Sequence, residues 1–207
     1  MDKLVYKIKR FWITYGLIGI SIFVYILSFI KYGYEMDVNQ AIEFGAYNGQ
    51  LVYYYNEYYR LLVSNFIHFG FLHLLVNCYS LSGIGCFIEN IFEKYEFSII
   101  VLASCFSTTT LSYILFLLFG FEAYTLNAGI SGVVFGMVGS LFALSLMYKN
   151  IFMDIFKSLL PNLIAMLVLS IIIPQISLSG HIFGMLGGFV STLIILIIKK
   201  NKTKIIN

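Results

Sequence analysis

The sequence predicts an all-α polytopic membrane protein with six transmembrane helices, on three observations: a low charge content, long uncharged runs and an asymmetric distribution of basic residues. The 207 residues are 60% hydrophobic and 11% charged, whereas about a quarter of a soluble domain is charged. Residues 11–30, 61–88, 97–121, 123–148 and 158–198 contain no Asp, Glu, Lys or Arg. Because about 20 apolar residues cross a bilayer, these runs exclude a soluble globular domain.

The predicted helices follow these runs in order. The last run, of 41 residues, is too long for one crossing, and Pro174 with the polar residues that follow it divides the run into two. The helices are predicted near residues 11–30, 67–88, 97–119, 127–148, 157–173 and 178–198. Residues 1–207 therefore form a single membrane domain, and an even number of crossings brings both termini to one face.

The basic residues indicate which face is cytoplasmic. Eleven of the 13 lysines and arginines fall on the face of the termini, and only Lys31 and Arg60 fall on the other. The eleven are Lys3, Lys7, Lys9, Arg10, Lys94, Lys149, Lys157, Lys199, Lys200, Lys202 and Lys204. Because cytoplasmic segments are enriched in Lys and Arg, we expect both termini in the cytoplasm. The net charge of +3 then reflects topology, and no nucleic-acid partner is predicted.

The longest connection is the first outer loop, residues 31–60. Six of its tyrosines are Tyr47, Tyr53, Tyr54, Tyr55, Tyr58 and Tyr59. Tyrosine favours the membrane–water boundary, where its ring is buried and its hydroxyl stays hydrated. We therefore expect this loop to lie partly in the outer leaflet with short helical pieces; a solvated loop is the alternative.

A serine and a histidine lie at the same predicted depth on two different helices. Ser131 precedes Lys149 by 18 residues, and His181 precedes Lys199 by 18 residues. If both lysines mark cytoplasmic helix ends, each side chain lies ~27 Å above that face at the helical rise per residue. A hydroxyl and an imidazole at one level suggest a nucleophile and its general base.

All three histidines fall at or within predicted helices, where ionisable side chains usually face a partner or a cavity. His73 and Asn77 share one face of helix 2, and His73 is predicted close to the level of Ser131 and His181. His68 is five residues from His73 and is predicted to point elsewhere, toward a loop or a water. A histidine that simply bonds a neighbouring helix is the alternative.

Small residues flank both candidate residues. Gly132, Gly136 and Gly139 cluster on one side of helix 4, and Gly184 and Gly188 form a GxxxG pair on helix 6. Such residues allow membrane helices to approach closely, as a hydrogen bond between the serine and the histidine requires. Generic helix packing is the alternative explanation.

The segment before the serine predicts a loop that enters a helix, with Asn127 as its N-cap. Ser131 is then expected in the first turn, where backbone N–H groups are free and the helix dipole is positive. Such a position suits the stabilisation of an oxyanion.

The three cysteines, Cys78, Cys86 and Cys105, all fall within predicted helices, which favours packing roles over a disulfide or a metal site.

Together these residues resemble the rhomboid family of intramembrane serine proteases, over about residues 55–190. The matching elements are Glu57-Tyr58-Tyr59-Arg60, His68-x4-His73-x3-Asn77 with Glu89, Gly129-Ile130-Ser131-Gly132 with Phe135-Gly136, and Gly180-His181-x2-Gly184-x3-Gly188. Phe135 and Tyr59 stand where many relatives carry tyrosine and tryptophan. The resemblance implies a rhomboid-like bundle of six helices.

The resemblance also implies roles for these residues. Ser131 would be the nucleophile and His181 the general base, in a dyad with no acidic third member. His73, Asn77 and the backbone N–H of Ser131 would form the oxyanion hole. The supporting residues would be Phe135, packed against His181, together with Gly129, Gly132, His68, Gly184 and Arg60.

The implied reaction is attack of the serine on a peptide carbonyl, followed by hydrolysis of the acyl-enzyme. Since water must reach a plane inside the cell membrane, we expect the site to open to the extracytoplasmic side. The segment from Pro174 to Ser179 would be a lid and helix 5 a movable wall. The implied partners are transmembrane protein substrates within the lipid bilayer, and no metal or organic cofactor is expected. The sequence does not indicate the oligomeric state.

Two other functions compete with an active protease. A non-catalytic rhomboid-like protein would bind membrane clients without cutting them, but such relatives usually lack the serine or the histidine. A small transporter or channel would be expected to show an inverted repeat or charged residues at the membrane midplane, and the sequence shows neither.

Overall fold

Helices account for most of the described residues in the computed structural model, which covers residues 3–120, 126–172 and 177–206. In chain order the elements are α1 (Lys3–Arg10), α2 (Trp12–Tyr32), α3 (Val38–Phe44), β1 (Tyr47–Asn48), α4 (Gly49–Tyr55), α5 (Arg60–Val63), α6 (Phe71–Ser80), α7 (Cys86–Ile91), α8 (Lys94–Phe119), β2 (Leu126–Asn127), α9 (Ser131–Met147), α10 (Lys149–Ile172) and α11 (Leu178–Ile206). A 3-10 turn at Ser64–Phe66 follows α5, and a π-helical turn at Leu81–Gly85 joins α6 to α7.

Five helices in these described ranges are long and apolar enough to cross a bilayer. They are Trp12–Tyr32, Phe71–Ile91, Lys94–Phe119, Lys149–Ile172 and Leu178–Asn201. The sixth apolar helix, α9, has only 17 residues, or ~25 Å of helix. The predicted all-α membrane bundle is therefore confirmed in this coarser form, and the count of six crossings stays a prediction.

Three helices begin four or more residues away from the sequence-based expectation. The second membrane helix begins at Phe71 rather than 67, because Gly70 is extended with φ −170°. The fourth begins at Ser131 rather than 127, because Asn127 lies in β2. The fifth begins at Lys149 rather than 157, since a lysine marks the boundary of the hydrocarbon core and does not end a helix.

The outer loop is built from short capped helices and is tied to the segment before α9. Asp37 accepts a hydrogen bond from the backbone of Gln40 and completes a capping box at α3. Asn48 caps α4 through the backbone N–H of Leu51 at 3.2 Å. The strand β1 pairs antiparallel with β2, Tyr47 opposite Asn127. The loop thus reaches the residues that lead into α9.

The centre of the bundle is the pair α9 and α11, with α8 packed beside them. A methyl group on Gly184 would collide with the carbonyl of Gly132, and one on Gly188 with the carbonyl of Gly136. The two helices therefore touch backbone to backbone, as small residues permit in membranes. Deeper in the same seam, Thr192 donates a hydrogen bond to the Ser140 hydroxyl at 2.8 Å.

A buried carboxylate holds the other end of the bundle together. Glu89 is 2% exposed and accepts hydrogen bonds from the backbone N–H groups of Ile13 (3.3 Å) and Thr14 (2.9 Å) at the start of α2. Lys94 forms an ion pair with it at 2.6 Å. Because the first N–H groups of a helix lack intrahelical partners, Glu89 performs the capping that Phe11, the residue before α2, does not.

Candidate active site

The side chains of Ser131 and His181 are in direct contact. Ser131 is the first residue of α9 and His181 is the fourth of α11, and Ser131 Oγ lies 2.8 Å from His181 Nε2. His181 is 4% exposed, and Ser131 is half-buried. The close seam between the two helices brings their N-terminal ends near enough for this hydrogen bond, at the common depth that the sequence predicts.

The imidazole of His181 is held on its face as well as at both nitrogens. The ring of Phe135 stacks on it, with 4.1 Å between ring centroids and 9° between planes. Phe135 is one turn after Ser131 on α9, so a single helix supplies the serine and the surface under the histidine. The hydroxyl oxygen of Ser170, in the last turn of α10, lies 2.9 Å from His181 Nδ1.

Sequence reasoning missed Ser170. The available signal was a hydroxyl within the otherwise apolar residues 163–172 at the end of α10, 11 residues before His181. Such a serine ordinarily bonds to a carbonyl of its own helix, and Ser170 does so as well, at 2.8 Å from Met166 O. Only the packing of α10 beside α9 and α11 places it at the histidine.

His73 and Asn77 face the backbone that precedes Ser131. Gly129 has φ +108°, a left-handed conformation that favours glycine. A methyl group there would lie 2.8 Å from His73 Nε2 and 3.6 Å from Asn77 Nδ2. Gly129 therefore lets both side chains approach the chain just before α9 begins. The Asn77 amide donates a hydrogen bond to His73 O at 3.1 Å.

His68 lies closer to this group than expected from the sequence. Its ring is fully buried, its Nδ1 lies 3.1 Å from Phe66 O, and its centroid is 5.0 Å from that of His73. The expectation that it points away from His73 is corrected, because α6 begins at Phe71, whereas the contact with Phe66 fits the expected contact with a segment outside the helix. His68 precedes the helix, so the helical rotation used to orient it does not apply.

A cavity of about 450 Å³ joins these residues. Its walls include Ser131, His181, His73 and Asn77, and none of the described residues that line it is Asp, Glu, Lys or Arg. Neutral hydroxyl, imidazole and amide groups thus converge in an otherwise apolar space. Hydroxyl nucleophile, imidazole base and N–H donors are the groups that acyl transfer requires.

Two expectations for the segments beside the site change. Asn127 does not cap α9; the residue before that helix is Ile130, which makes no side-chain capping bond, and Asn127 lines the cavity from β2. Part of the expected lid, including Pro174, lies outside the described residues. Ser177 is described and accepts a hydrogen bond from Gly180 N at 3.0 Å, so it caps α11 just before His181.

Arg60 lies outside the cavity wall and anchors the outer loop. Its guanidinium donates hydrogen bonds to Ile42 O (2.6 Å) and Ala46 O (2.8 Å), and to the Glu57 carboxylate at 2.5 Å. It is 4% exposed and lies 5.3 Å from the centroid of the Tyr59 ring. Arg60 therefore supports the outer loop, whose strand β1 pairs with β2.

Comparison with known proteins finds similarity to rhomboid proteins. The model of the Rhomboid domain family matches residues 55–198. The chain is 28% identical over 180 residues to rhomboid protease GluP of Bacillus subtilis, covering 85% of this chain and 33% of that protein. It is 28% identical over 156 residues to RHOMBOID-like protein 1 of Arabidopsis thaliana, covering 74% of this chain and 38% of that protein.

A putative rhomboid protease, YdcA of Bacillus subtilis, is 27% identical over 141 residues, which are 64% of this chain and 65% of that protein. The chain thus spans less than two thirds of the length of each of these three relatives. The similarity covers the membrane helices that carry the cavity.

Proposed function

Because the chain belongs to the rhomboid family, we propose that it is an intramembrane serine endopeptidase that cleaves transmembrane proteins with a Ser131–His181 dyad. The observation that carries this proposal is the 2.8 Å contact between Ser131 Oγ and His181 Nε2. A nucleophile and base within hydrogen-bond distance, with the base oriented by further contacts, is the arrangement that activates a serine.

In this mechanism Ser131 Oγ attacks the scissile carbonyl while His181 Nε2 takes the hydroxyl proton. His181 then gives that proton to the departing amine, which leaves an acyl group on Ser131. A water molecule, deprotonated by the same nitrogen, attacks the acyl carbonyl. The bond to Ser131 Oγ then breaks, His181 returns the proton to that oxygen, and the second product leaves as a carboxylic acid. Stacking on Phe135 keeps the imidazole in one orientation through both proton transfers.

The negative charge that develops on the carbonyl oxygen is stabilised by N–H donors. The backbone N–H of Ser131 is in the first turn of α9, where N–H groups have no intrahelical partner and the dipole is positive. Asn77 Nδ2 and His73 Nε2 approach the neighbouring Gly129. Donors fixed in place before the reaction cost no reorganisation as the charge forms.

The proposed substrate is a transmembrane helix that reaches the cavity from the bilayer. Leu72 and Val76 of α6 and Leu169 of α10 line the cavity and are also exposed, at 69%, 47% and 46%. Apolar surface that is continuous from the lipid-facing side to the candidate nucleophile suits an apolar substrate segment. We place the cavity toward the extracytoplasmic side, because Ser131 and His181 lie at the helix ends opposite Lys149 and Lys199.

A fluorophosphonate serine probe tests the proposal with the full chain in liposomes. Wild-type protein should be labelled and should cleave a single-span substrate, whereas Ser131→Ala and His181→Ala should do neither. Ser145→Ala is the matched control, because Ser145 lies on the same helix and bonds only to Phe142 O of that helix, at 2.7 Å. Substrate binding without Ser131-dependent labelling or cleavage would replace the protease with a non-catalytic client-binding protein.

A further inference from the structure

Ser170 is the only buried residue of α10 as the structure describes this helix. Of the 24 residues in this helix, only Ser170 is buried, at 6% exposure, and its hydroxyl ends 2.9 Å from His181 Nδ1. The other nitrogen of the same ring contacts Ser131. The histidine is therefore bracketed by two serines from two different helices.

The direction of the Ser170 hydrogen bond follows from its second contact. Ser170 Oγ lies 2.8 Å from the backbone carbonyl oxygen of Met166, and a carbonyl oxygen can only accept. A hydroxyl has one hydrogen to donate. If Ser170 gave it to Nδ1, the hydroxyl and carbonyl oxygens would face each other at 2.8 Å with no hydrogen between them, so Ser170 donates it to Met166. The short contact with His181 Nδ1 is then a hydrogen bond in which Nδ1–H donates to the Ser170 oxygen.

That direction decides the protonation of the opposite nitrogen. A neutral imidazole carries its hydrogen on one nitrogen and a lone pair on the other. With the hydrogen on Nδ1, the Nε2 lone pair faces Ser131 and accepts its hydroxyl hydrogen. The opposite tautomer would point an N–H at Ser131 Oγ and could not take a proton from it.

We propose that Ser170 is a positioning residue that holds His181 in the tautomer with hydrogen on Nδ1. Its catalytic consequence rests on the proposed dyad. Once His181 has taken the proton, both nitrogens donate, and the Ser170 oxygen still accepts from Nδ1–H. Ser170 thus fixes the tautomer of His181, as a buried carboxylate does in a three-residue serine protease site, in a cavity whose described lining has no carboxylate.

Because of this contact, the tautomer of His181 also depends on the position of α10. Ser170 and His181 lie on different helices, and no other residue of α10 is buried. A displacement of the last turn of α10 that removes Ser170 from Nδ1 therefore releases the tautomer. His181 is therefore held in this tautomer only while the last turn of α10 keeps Ser170 next to Nδ1.

Nitrogen-15 NMR of the full chain in detergent, labelled at histidine, tests the proposal without reference to activity. The chain has three histidines, and the His181 ring is assigned from the signals lost in His181→Gln. Wild-type protein should show hydrogen on His181 Nδ1. Ser170→Ala should shift the ring toward hydrogen on Nε2, and Ser170→Thr, which keeps the hydroxyl, should restore the wild-type signals.

Kinetics with a transmembrane substrate supply the second measurement. Ser170→Ala should lower kcat about tenfold, which corresponds to the loss of one hydrogen bond, and KM should stay within about twofold of the wild-type value. Ser170→Thr should recover most of the loss in kcat. Ser158→Ala is the matched control on the same helix, because Ser158 is exposed and bonds only to Ile155 O at 2.7 Å. It should change neither kcat nor the NMR signals.

Hydrogen on Nε2 in wild-type protein, or the same tautomer in wild-type and Ser170→Ala, would overturn the proposal. An equal loss of activity in Ser170→Ala and Ser170→Thr would also overturn it, since packing alone would then explain the effect. If wild-type protein proves inactive, the proposed function fails while the NMR result still decides the role of Ser170.

Discussion

The phenyl ring of Phe135 lies parallel to the imidazole of His181, with 4.1 Å between centroids and 9° between planes. Phe135 follows Ser131 by one turn of α9, and it is 1% exposed. One helix therefore fixes both the hydroxyl and the plane of the ring that meets it. The stacking therefore helps to orient the imidazole that contacts Ser131.

Replacement of Phe135 by leucine should slow catalysis without preventing folding. Stacked aromatic pairs contribute about 0.5–1.5 kcal/mol beyond their area, so Phe135→Leu should lower kcat by up to about tenfold. Phe142→Leu is the control, since Phe142 stacks on Phe156 and Phe189 of the same bundle and not on the histidine. An equal fall of kcat in both variants, measured on one substrate, would argue that general packing and not ring orientation is affected.

Asn77→Ala should reduce turnover more than substrate binding. Loss of one oxyanion donor costs about 10²–10³ in kcat in serine proteases, while KM should change little because the charge exists only in the transition state. Steady-state kinetics in liposomes measure both constants. Cys78→Ala, one residue further along α6 and half-buried, provides the control. An unchanged kcat in Asn77→Ala would remove Asn77 from the oxyanion hole.

Gly184→Ala should separate α9 from α11. The added methyl group would collide with the Gly132 backbone, which cannot move aside as a flexible side chain can, and overpacking costs about 1–3 kcal/mol. Both the thermal midpoint in detergent and Ser131 labelling should fall. Gly19→Ala is the control, because no atom lies within 4 Å of the added methyl group. Full activity in Gly184→Ala would contradict the backbone contact.

Glu89→Gln should weaken the fold and leave the chemistry intact. The buried carboxylate accepts two backbone N–H groups at the start of α2 and pairs with Lys94, and loss of such charged hydrogen bonds costs about 1.5–3 kcal/mol. Denaturant unfolding in detergent measures the loss, and kcat of the remaining folded protein should be unchanged. Glu43→Gln removes the exposed pair with Lys31 and should have a clearly smaller effect.

Reporter fusions should place both termini in the cytoplasm, as the distribution of basic residues predicts. A fluorescent reporter fused after Asn207 should be active, and an alkaline phosphatase reporter there should not. The same two reporters inserted at Asn56, an exposed residue between α4 and α5, should give the opposite readings. Phosphatase activity after Asn207 would invert the proposed orientation and the side to which the cavity opens.

Some residues of the site could be predicted from the sequence, and others could not. The resemblance to the rhomboid family is confirmed by the match over residues 55–198, and the structure brings Ser131 and His181 into contact. His68 was misjudged because the start of α6 was set before the extended Gly70. Ser170 was missed because its approach to His181 depends on how α10 packs, which no spacing within one helix encodes.

The sequence alone determined the class of protein, and it predicts the depth of each polar group, because uncharged runs and flanking lysines indicate how far along the membrane normal a helical residue lies. Tertiary structure decided the rest. The depth of a residue does not specify how its helix is rotated about its own axis or which helices lie next to it. The backbone contact at Gly132 and Gly184 and the packing of α10, which brings Ser170 to His181, set both. They thereby set which nitrogen of His181 contacts which hydroxyl.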